Sequence, residues 1–127
     1  MTKRKKKGDK KRILVIDDDK IVVELVKKIL KRAGFEVETA RDGVEGLEKI
    51  KQGVYNAIVS NLNMPRMKGD KLYLEVQKSN PDLAKKIIFI SGYITDFIRS
   101  TGNRFLKKPF SSQELIEAVN EVIASHE

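Results

Sequence analysis

Apolar residues fall along this chain in short runs that end in polar groups. Ile13-Leu14-Val15-Ile16 runs into Asp17-Asp18-Asp19, and Ala57-Ile58-Val59-Ser60 runs into Asn61. Ile87-Ile88-Phe89-Ile90 ends at Ser91-Gly92, and Phe105-Leu106 at Lys107-Lys108-Pro109. Unbroken apolar runs of this length predict strands buried on both faces, as in parallel sheets. Phe35 to Ala40 alternates and predicts one more strand; Arg104 to Leu106 is a short fifth. Between the strands the period becomes helical. A first helix leaves Asp17-Asp19 and reaches about Ala33, with Val22, Leu25, Val26, Ile29, Leu30 and Ala33 inward and Gly34 as its stop. Gly43 to Gln52 is a second, turning Val44, Leu47 and Ile50 inward. Gly69 to Ser79 is a third, with Leu72, Tyr73 and Val76 inward, closed by Asn80-Pro81. Ile94 to Ser100 holds at most two helical turns. The last helix opens on a capping box, Ser111 to Glu114, and buries Leu115, Ile116, Val119, Val122 and Ile123.

Five strand–helix units predict an α/β fold: a doubly wound five-stranded parallel sheet in a three-layer sandwich, with a shortened fourth helix. Polar groups repeated at strand ends predict one site at the carboxyl edge of that sheet. A chain of 127 residues makes one domain with a real core. No apolar run approaches the roughly 18 residues of a membrane span, and the N-terminus lacks the apolar core of a signal peptide. A cytoplasmic protein without membrane insertion is expected. The final helix ends the sequence, so no DNA-binding output domain is expected. The absence of Cys removes disulfides and thiolate metal sites, and the single His126 is penultimate, which argues against a site built on histidine.

Charge changes the picture at one end only. Residues 1–12 carry eight Lys/Arg against Asp9, a net +7; the other 115 residues carry 18 Lys/Arg against 17 Asp/Glu, a net +1. Residues 1–10 therefore predict a disordered basic arm ahead of a nearly neutral domain over 11–127. The arm reads first as a solvated tail, since no aromatic within it can stack on a base. The alternative is a polyanion- or nucleic-acid-binding protein that uses this arm.

Adjacent carboxylates at a strand end, Asp17 and Asp18, suit a hard cation such as Mg²⁺. An Asp run also suits helix capping and the macrodipole, and Asp19 is expected to have that role alone. No nucleophile–base pair is visible, so independent turnover is not expected. In conjunction, Ile13–Asp19, Ser60–Gly69, Phe89–Gly92 and Phe105–Phe110 resemble the receiver domain of bacterial response regulators, the CheY-like family, in order and over residues 11 to 125. The resemblance implies that Asp17 and Asp18 hold Mg²⁺, with the backbone carbonyl of Asn63. It implies that Ser91 and Lys108 bind the phosphoryl group, that Phe105 is the aromatic switch position, and that Lys108-Pro109 is a candidate cis bond. It places Asn61 where the family has its phosphoacceptor aspartate. The implied partner is a histidine kinase or another signalling protein of a two-component phosphorelay, and the implied oligomeric state a monomer or weak dimer.

Two departures matter. An amide forms no stable acyl phosphate, so aspartyl phosphorylation at Asn61 is expected to be absent. It also lowers the pocket's formal charge from −3 to −2, so Mg²⁺ binding should weaken and Asn61 should be a weak ligand. Ser60 is no expected surrogate, because alternation turns it to the other face, and Asp18 is needed for metal. Asn61 is equally consistent with a natural pseudo-receiver and with an introduced Asp→Asn replacement. Only 16 residues separate Ser91 from Lys108, fewer than in most receivers, and the shortfall lies at the fourth helix. This short form with Ser91-Gly92-Tyr93 resembles receivers attached to hybrid sensor kinases. A flavodoxin-like cofactor protein would need a hydroxyl-rich loop after the first strand, where Asp17-Asp18-Asp19 would repel phosphate.

Overall fold

The computed structural model describes residues 10–126, so the arm expected over residues 1–10 lies outside the described residues except for Lys10, which leads into the first strand. The elements run β1 (Arg12–Ile16), α1 (Lys20–Arg32), β2 (Glu36–Ala40), α2 (Gly43–Gln52), β3 (Ala57–Asn61) and α3 (Gly69–Ser79). They continue with α4 (Pro81–Ala84), β4 (Ile87–Ser91), α5 (Asp96–Thr101), β5 (Phe105–Lys107) and α6 (Ser112–Ser125). All strand pairs are parallel, in the order β2-β1-β3-β4-β5. The order reverses between β1 and β3, and the crevice outside the strand ends there is where such sheets bind ligands.

The apolar runs of β1, β3 and β4 supply two cores, one on each face. Ile13, Val15, Val59, Ile88 and Ile90 pack with Val26 and Leu30 of α1 and Leu115, Val119 and Val122 of α6. Leu14, Ile16, Ile58, Ile87 and Phe89 pack on the other face with Leu72, Tyr73 and Val76 of α3 and Ile98 of α5. Period-two alternation divides each run between two helical layers, which is the doubly wound sandwich expected. Tyr73, Phe89 and Phe97 meet pairwise with ring centroids 5.7–5.9 Å apart, filling the space beside the short α5.

Local rules explain most helix ends. Asp19 caps α1, accepting from the backbone N–H of Ile21 and Val22. The turn after α1 puts Gly34 at φ +99°, a conformation that favours glycine. Ser111 and Glu114 form the capping box of α6. Four details differ from expectation. In α6 Ile116 is only half-buried and Ala118 joins the buried stripe, because the stripe is centred one position further round the helix. In α1 the buried residues are Val23, Val26 and Leu30, while Leu25 is 57% exposed and Ala33 is the exposed C-cap. Periodicity fixes the width of an apolar arc, not which margin of it the sheet and α6 cover. In α2 the buried positions are Gly43 and Gly46, with Val44, Leu47 and Ile50 half-buried. Finally, Pro81 begins a helical turn of its own, α4, capped by Asn80. A proline ends the preceding helix but is well suited to the first turn of the next.

Candidate functional site

The carboxyl ends of β1, β3, β4 and β5 bring the expected site residues to one edge. Asp17 follows β1 directly; Asn61 and Ser91 are the last residues of β3 and β4; Lys108 follows β5. The register pairs Asn61 with Ile90 and Ser91 with Lys107, so these ends lie level. Ser60 pairs with Ile16 and Phe89 and belongs to the opposite face, where it is fully buried, its hydroxyl donating to the Asn61 carbonyl.

Asn61 is 7% exposed and faces three oxygens. Its Nδ2 donates to the Asn63 carbonyl at 2.8 Å and approaches Asp17 Oδ1 at 3.3 Å and Asp18 Oδ1 at 3.4 Å. Asp17 Oδ1 also accepts from the Asp19 N–H at 3.0 Å. Asp17 Oδ2 is buried and has no hydrogen-bond partner among the described residues; Lys108 Nζ stands 3.8 Å away as its counter-charge. Burial pushes the Asp17 carboxyl above the usual carboxylate range, against the pull of the Asp19 N–H and of Lys108. The Lys108 N–H donates to the Ser91 carbonyl at 2.8 Å, and the Lys108-Pro109 bond is cis. The Ser91 hydroxyl accepts from the Tyr93 N–H at 3.4 Å. Phe105 on β5 is half-buried and packs against the core on the α3 and α5 side.

The donor set at this edge suits a hard divalent cation. Asp17 Oδ2 is an orphaned buried oxygen, Asp18 is exposed, and the Asn63 carbonyl converges with them. Among the described residues no three His, Cys, Asp or Glu side chains gather into a metal cluster, so the charged ligands are two carboxylates. Two carboxylates and a carbonyl fit Mg²⁺, which keeps several waters and seldom has an all-protein cage. Asn61 contributes its donor face in this rotamer; ligation through Oδ1 needs a half-turn of its amide.

The loop between β3 and α3 carries Asn63 and is pinned from two sides. The Gly69 N–H donates to the Leu62 carbonyl, and a Cβ on Gly69 would lie 2.7 Å from the Asn61 carbonyl oxygen. Glycine is required there by the close return of the chain. On the other side Arg66, at φ +64°, donates from Nε and Nη2 to both oxygens of Asp42 at 2.6 and 3.1 Å. Asp42 caps α2, and Met67 lies against Gly43. The Asp42–Arg66 pair was not foreseen in the sequence. Asp42 before Gly43 signals only a cap, and nothing local to Arg66 names a partner 24 residues away. A groove of about 700 Å³ runs beside this clamp, lined by Asp17, Asp18, Thr39, Asp42 and Pro65 among others.

A three-layer parallel sandwich with two carboxylates, an amide, a hydroxyl residue and a lysine at four strand ends defines a receiver of the two-component type. The chain belongs to the response regulator receiver domain family, whose pattern matches residues 13–120. It is similar to the transcriptional regulatory protein GlrR of Escherichia coli (strain K12), 31% identical over 114 residues that cover 87% of this chain and 26% of that protein. It is also similar to the sensor kinase CckA of Brucella abortus (strain 2308), 37% identical over 87% of this chain and 12% of that protein. The chain thus spans well under two-thirds of the length of these curated relatives. Among solved structures, a CheY-like receiver domain protein from Methanospirillum hungatei superposes with a TM-score of 0.85 at 31% identity, covering 93% of this chain and 97% of that one. The response regulator TrrA from Thermotoga maritima, solved in complex with Mg²⁺-BeF, gives 0.81 at 33% identity, covering 88% and 98%. No helix among the described residues is long and apolar enough to cross a membrane.

Proposed function

We propose that this receiver signals without aspartyl phosphorylation, held in one conformation and acting by binding a histidine kinase or another signalling protein. The observation that carries this reading is Asn61 at the end of β3, with its amide turned to Asp17, Asp18 and the Asn63 carbonyl. In the family's chemistry a carboxylate oxygen at this point attacks a phosphoryl group in line while cationic groups neutralise the charge that develops. An amide oxygen carries no full charge, and the O-phosphoryl imidate that its phosphorylation would give is no stable product. Lys108 is engaged with Asp17, and position 61 offers it no second carboxylate. Ser91 and Phe105 keep the phosphoryl-binding and switch positions. Asp17, Asp18 and the Asn63 carbonyl would hold Mg²⁺, and Asn61 could join them only as a weak ligand, through Oδ1 after its amide turns; bound there, the ion would supply positive charge at the pocket floor. The chain works by association in the cytoplasm, without turnover of its own.

The test is intact mass after incubation with a small-molecule phosphodonor and Mg²⁺, with Asn61→Asp treated in parallel. The expected result is one added phosphoryl group on Asn61→Asp and none on the native chain. A phosphoryl group on the native chain would reveal a surrogate acceptor and overturn the reading. No gain on either would mean that the pocket departs from the family beyond Asn61.

A further inference from the structure

Resting on that receiver reading, we infer that the Asn61 side-chain amide serves as the pocket's built-in cation, so that this receiver keeps its site assembled without Mg²⁺ and admits the ion only when the amide gives way. The oxygens around Asn61 Nδ2 come from two loops: Asp17 and Asp18 in the connection between β1 and α1, and Asn63 in the loop after β3. An amide nitrogen carries two N–H donors and no acceptor. One engages the Asn63 carbonyl at 2.8 Å; the other is left to the two carboxylates at 3.3 and 3.4 Å. These are the oxygens a hard cation would recruit. A carboxylate at position 61 could donate to none of them and would repel both aspartates until a cation arrived. The amide reverses that relation, joining the β1–α1 and β3–α3 loops by itself.

Its charge and its place both oppose a metal ion. The N–H hydrogens carry partial positive charge toward the lone pairs that Mg²⁺ needs at about 2.0–2.1 Å. Asn61 is 7% exposed, so its amide must turn within the pocket to leave its acceptors to the ion. Turning Oδ1 inward abandons all three donor contacts. Lys108, 3.8 Å from Asp17 Oδ2, supplies the remaining positive charge on the side the amide does not reach. Between them, Nδ2 and Nζ address both oxygens of Asp17 from within the chain.

The amide should therefore act as a competitor of Mg²⁺ more than as a ligand, and the two roles order three proteins differently. Mg²⁺ dissociation constants would be measured by calorimetry on the full chain, Asn61→Asp and Asn61→Ala. The expected order of affinity is Asp above Ala above Asn, with Asn61→Ala roughly three- to tenfold tighter than the native chain, as loss of one or two donor contacts implies. If Asn61→Asp binds and Asn61→Ala binds more weakly than the native chain, the amide is a ligand and the inference falls while the receiver reading stands. If Asn61→Asp does not bind, no cation site exists for the amide to compete at and the inference falls, while the reading of a receiver that signals by association stands. A second measurement uses the native chain alone, in case Asn61→Ala does not fold. The Asn61 Nδ2 hydrogens should give two slowly exchanging NMR signals without metal that persist into millimolar Mg²⁺. Fast-exchanging signals, or signals that shift at low Mg²⁺, would overturn the inference.

Discussion

Arg66 and Asp42 form a two-pronged ion pair between the loop after β3 and the first turn of α2, with Nε 2.6 Å from Oδ2 and Nη2 3.1 Å from Oδ1. Asp42 is 3% exposed and also caps α2 through the Glu45 N–H at 2.9 Å. The arginine is half in water, so its own charge contributes little. What matters is the buried carboxylate left behind when it is removed. Arg66→Ala should cost about 1–2 kcal/mol by urea unfolding. Asp42→Ala, which also removes the cap, should cost about 2–3 kcal/mol. Because Arg66 stands at φ +64°, Arg66→Gly should recover roughly 1 kcal/mol of the loss seen with alanine.

The same pair fixes a pH dependence. The Arg66 guanidinium holds the Asp42 carboxyl below its ordinary range. Stability from such a lowered carboxyl is present above the unfolded-state pKa of about 3.9 and is lost as pH falls through the lower folded value. The stability gap between the native chain and Arg66→Ala should therefore be full at neutral pH and close in acid. A gap that persists unchanged at pH 2 would assign the effect to packing.

Asp17 predicts the opposite sign. Burial raises its pKa, so the folded state binds the proton more readily and ionisation opposes folding. Stability then declines as pH rises from the unfolded pKa to the folded one. Asp17→Asn keeps an acceptor for the Asp19 N–H and should stabilise the metal-free chain at pH 7, by on the order of 1 kcal/mol. The gain should vanish below pH 4. A loss of stability at pH 7 would show that the Lys108 pair outweighs desolvation.

Glycine substitutions separate close backbone approach from free space. A Cβ at Gly69 would lie 2.7 Å from the Asn61 carbonyl oxygen and 3.0 Å from Leu62 Cα, both main-chain atoms. Gly69→Ala should cost about 1–3 kcal/mol and shift the backbone amide signals of Leu62 and Asn63. Gly92 is exposed with nothing within 4 Å of its would-be Cβ, so Gly92→Ala should unfold at the native midpoint.

Asn103 holds the shortened region together. Its Nδ2 donates to the carbonyls of Ala84 and Ile87, each at 2.8 Å, tying the turn after α5 to the junction of α4 and β4. Asn103→Ala leaves two buried carbonyls unpaired and should cost about 2–3 kcal/mol, with hydrogen exchange accelerating first in α4 and α5.

The strands and the site edge were legible because both are local signals. Runs such as Ile87 to Ile90 are apolar on consecutive positions only if both faces are covered. The polar residues that stop them then lie, by topology alone, at one edge. The end of α1 at Gly34, the cap at Ser111 and the brevity of α5 were likewise written in neighbouring residues. That β3 ends in an amide and not a carboxylate, at Asn61, was readable at once because a side chain's own chemistry does not depend on its surroundings. What its amide does there depends on them entirely. That Nδ2 faces Asp17, Asp18 and the Asn63 carbonyl follows from bringing β1 and β3 side by side. The burial of Val23 in place of Leu25, the grip of Arg66 on Asp42 and the staple made by Asn103 also join segments distant in sequence. Hydrophobic period and capping chemistry act over a few residues, so the sequence determined the elements, their order and the identity of the groups at the edge. Orientation, pairing and burial of those groups depend on atoms contributed by other elements, and only the tertiary structure decided them.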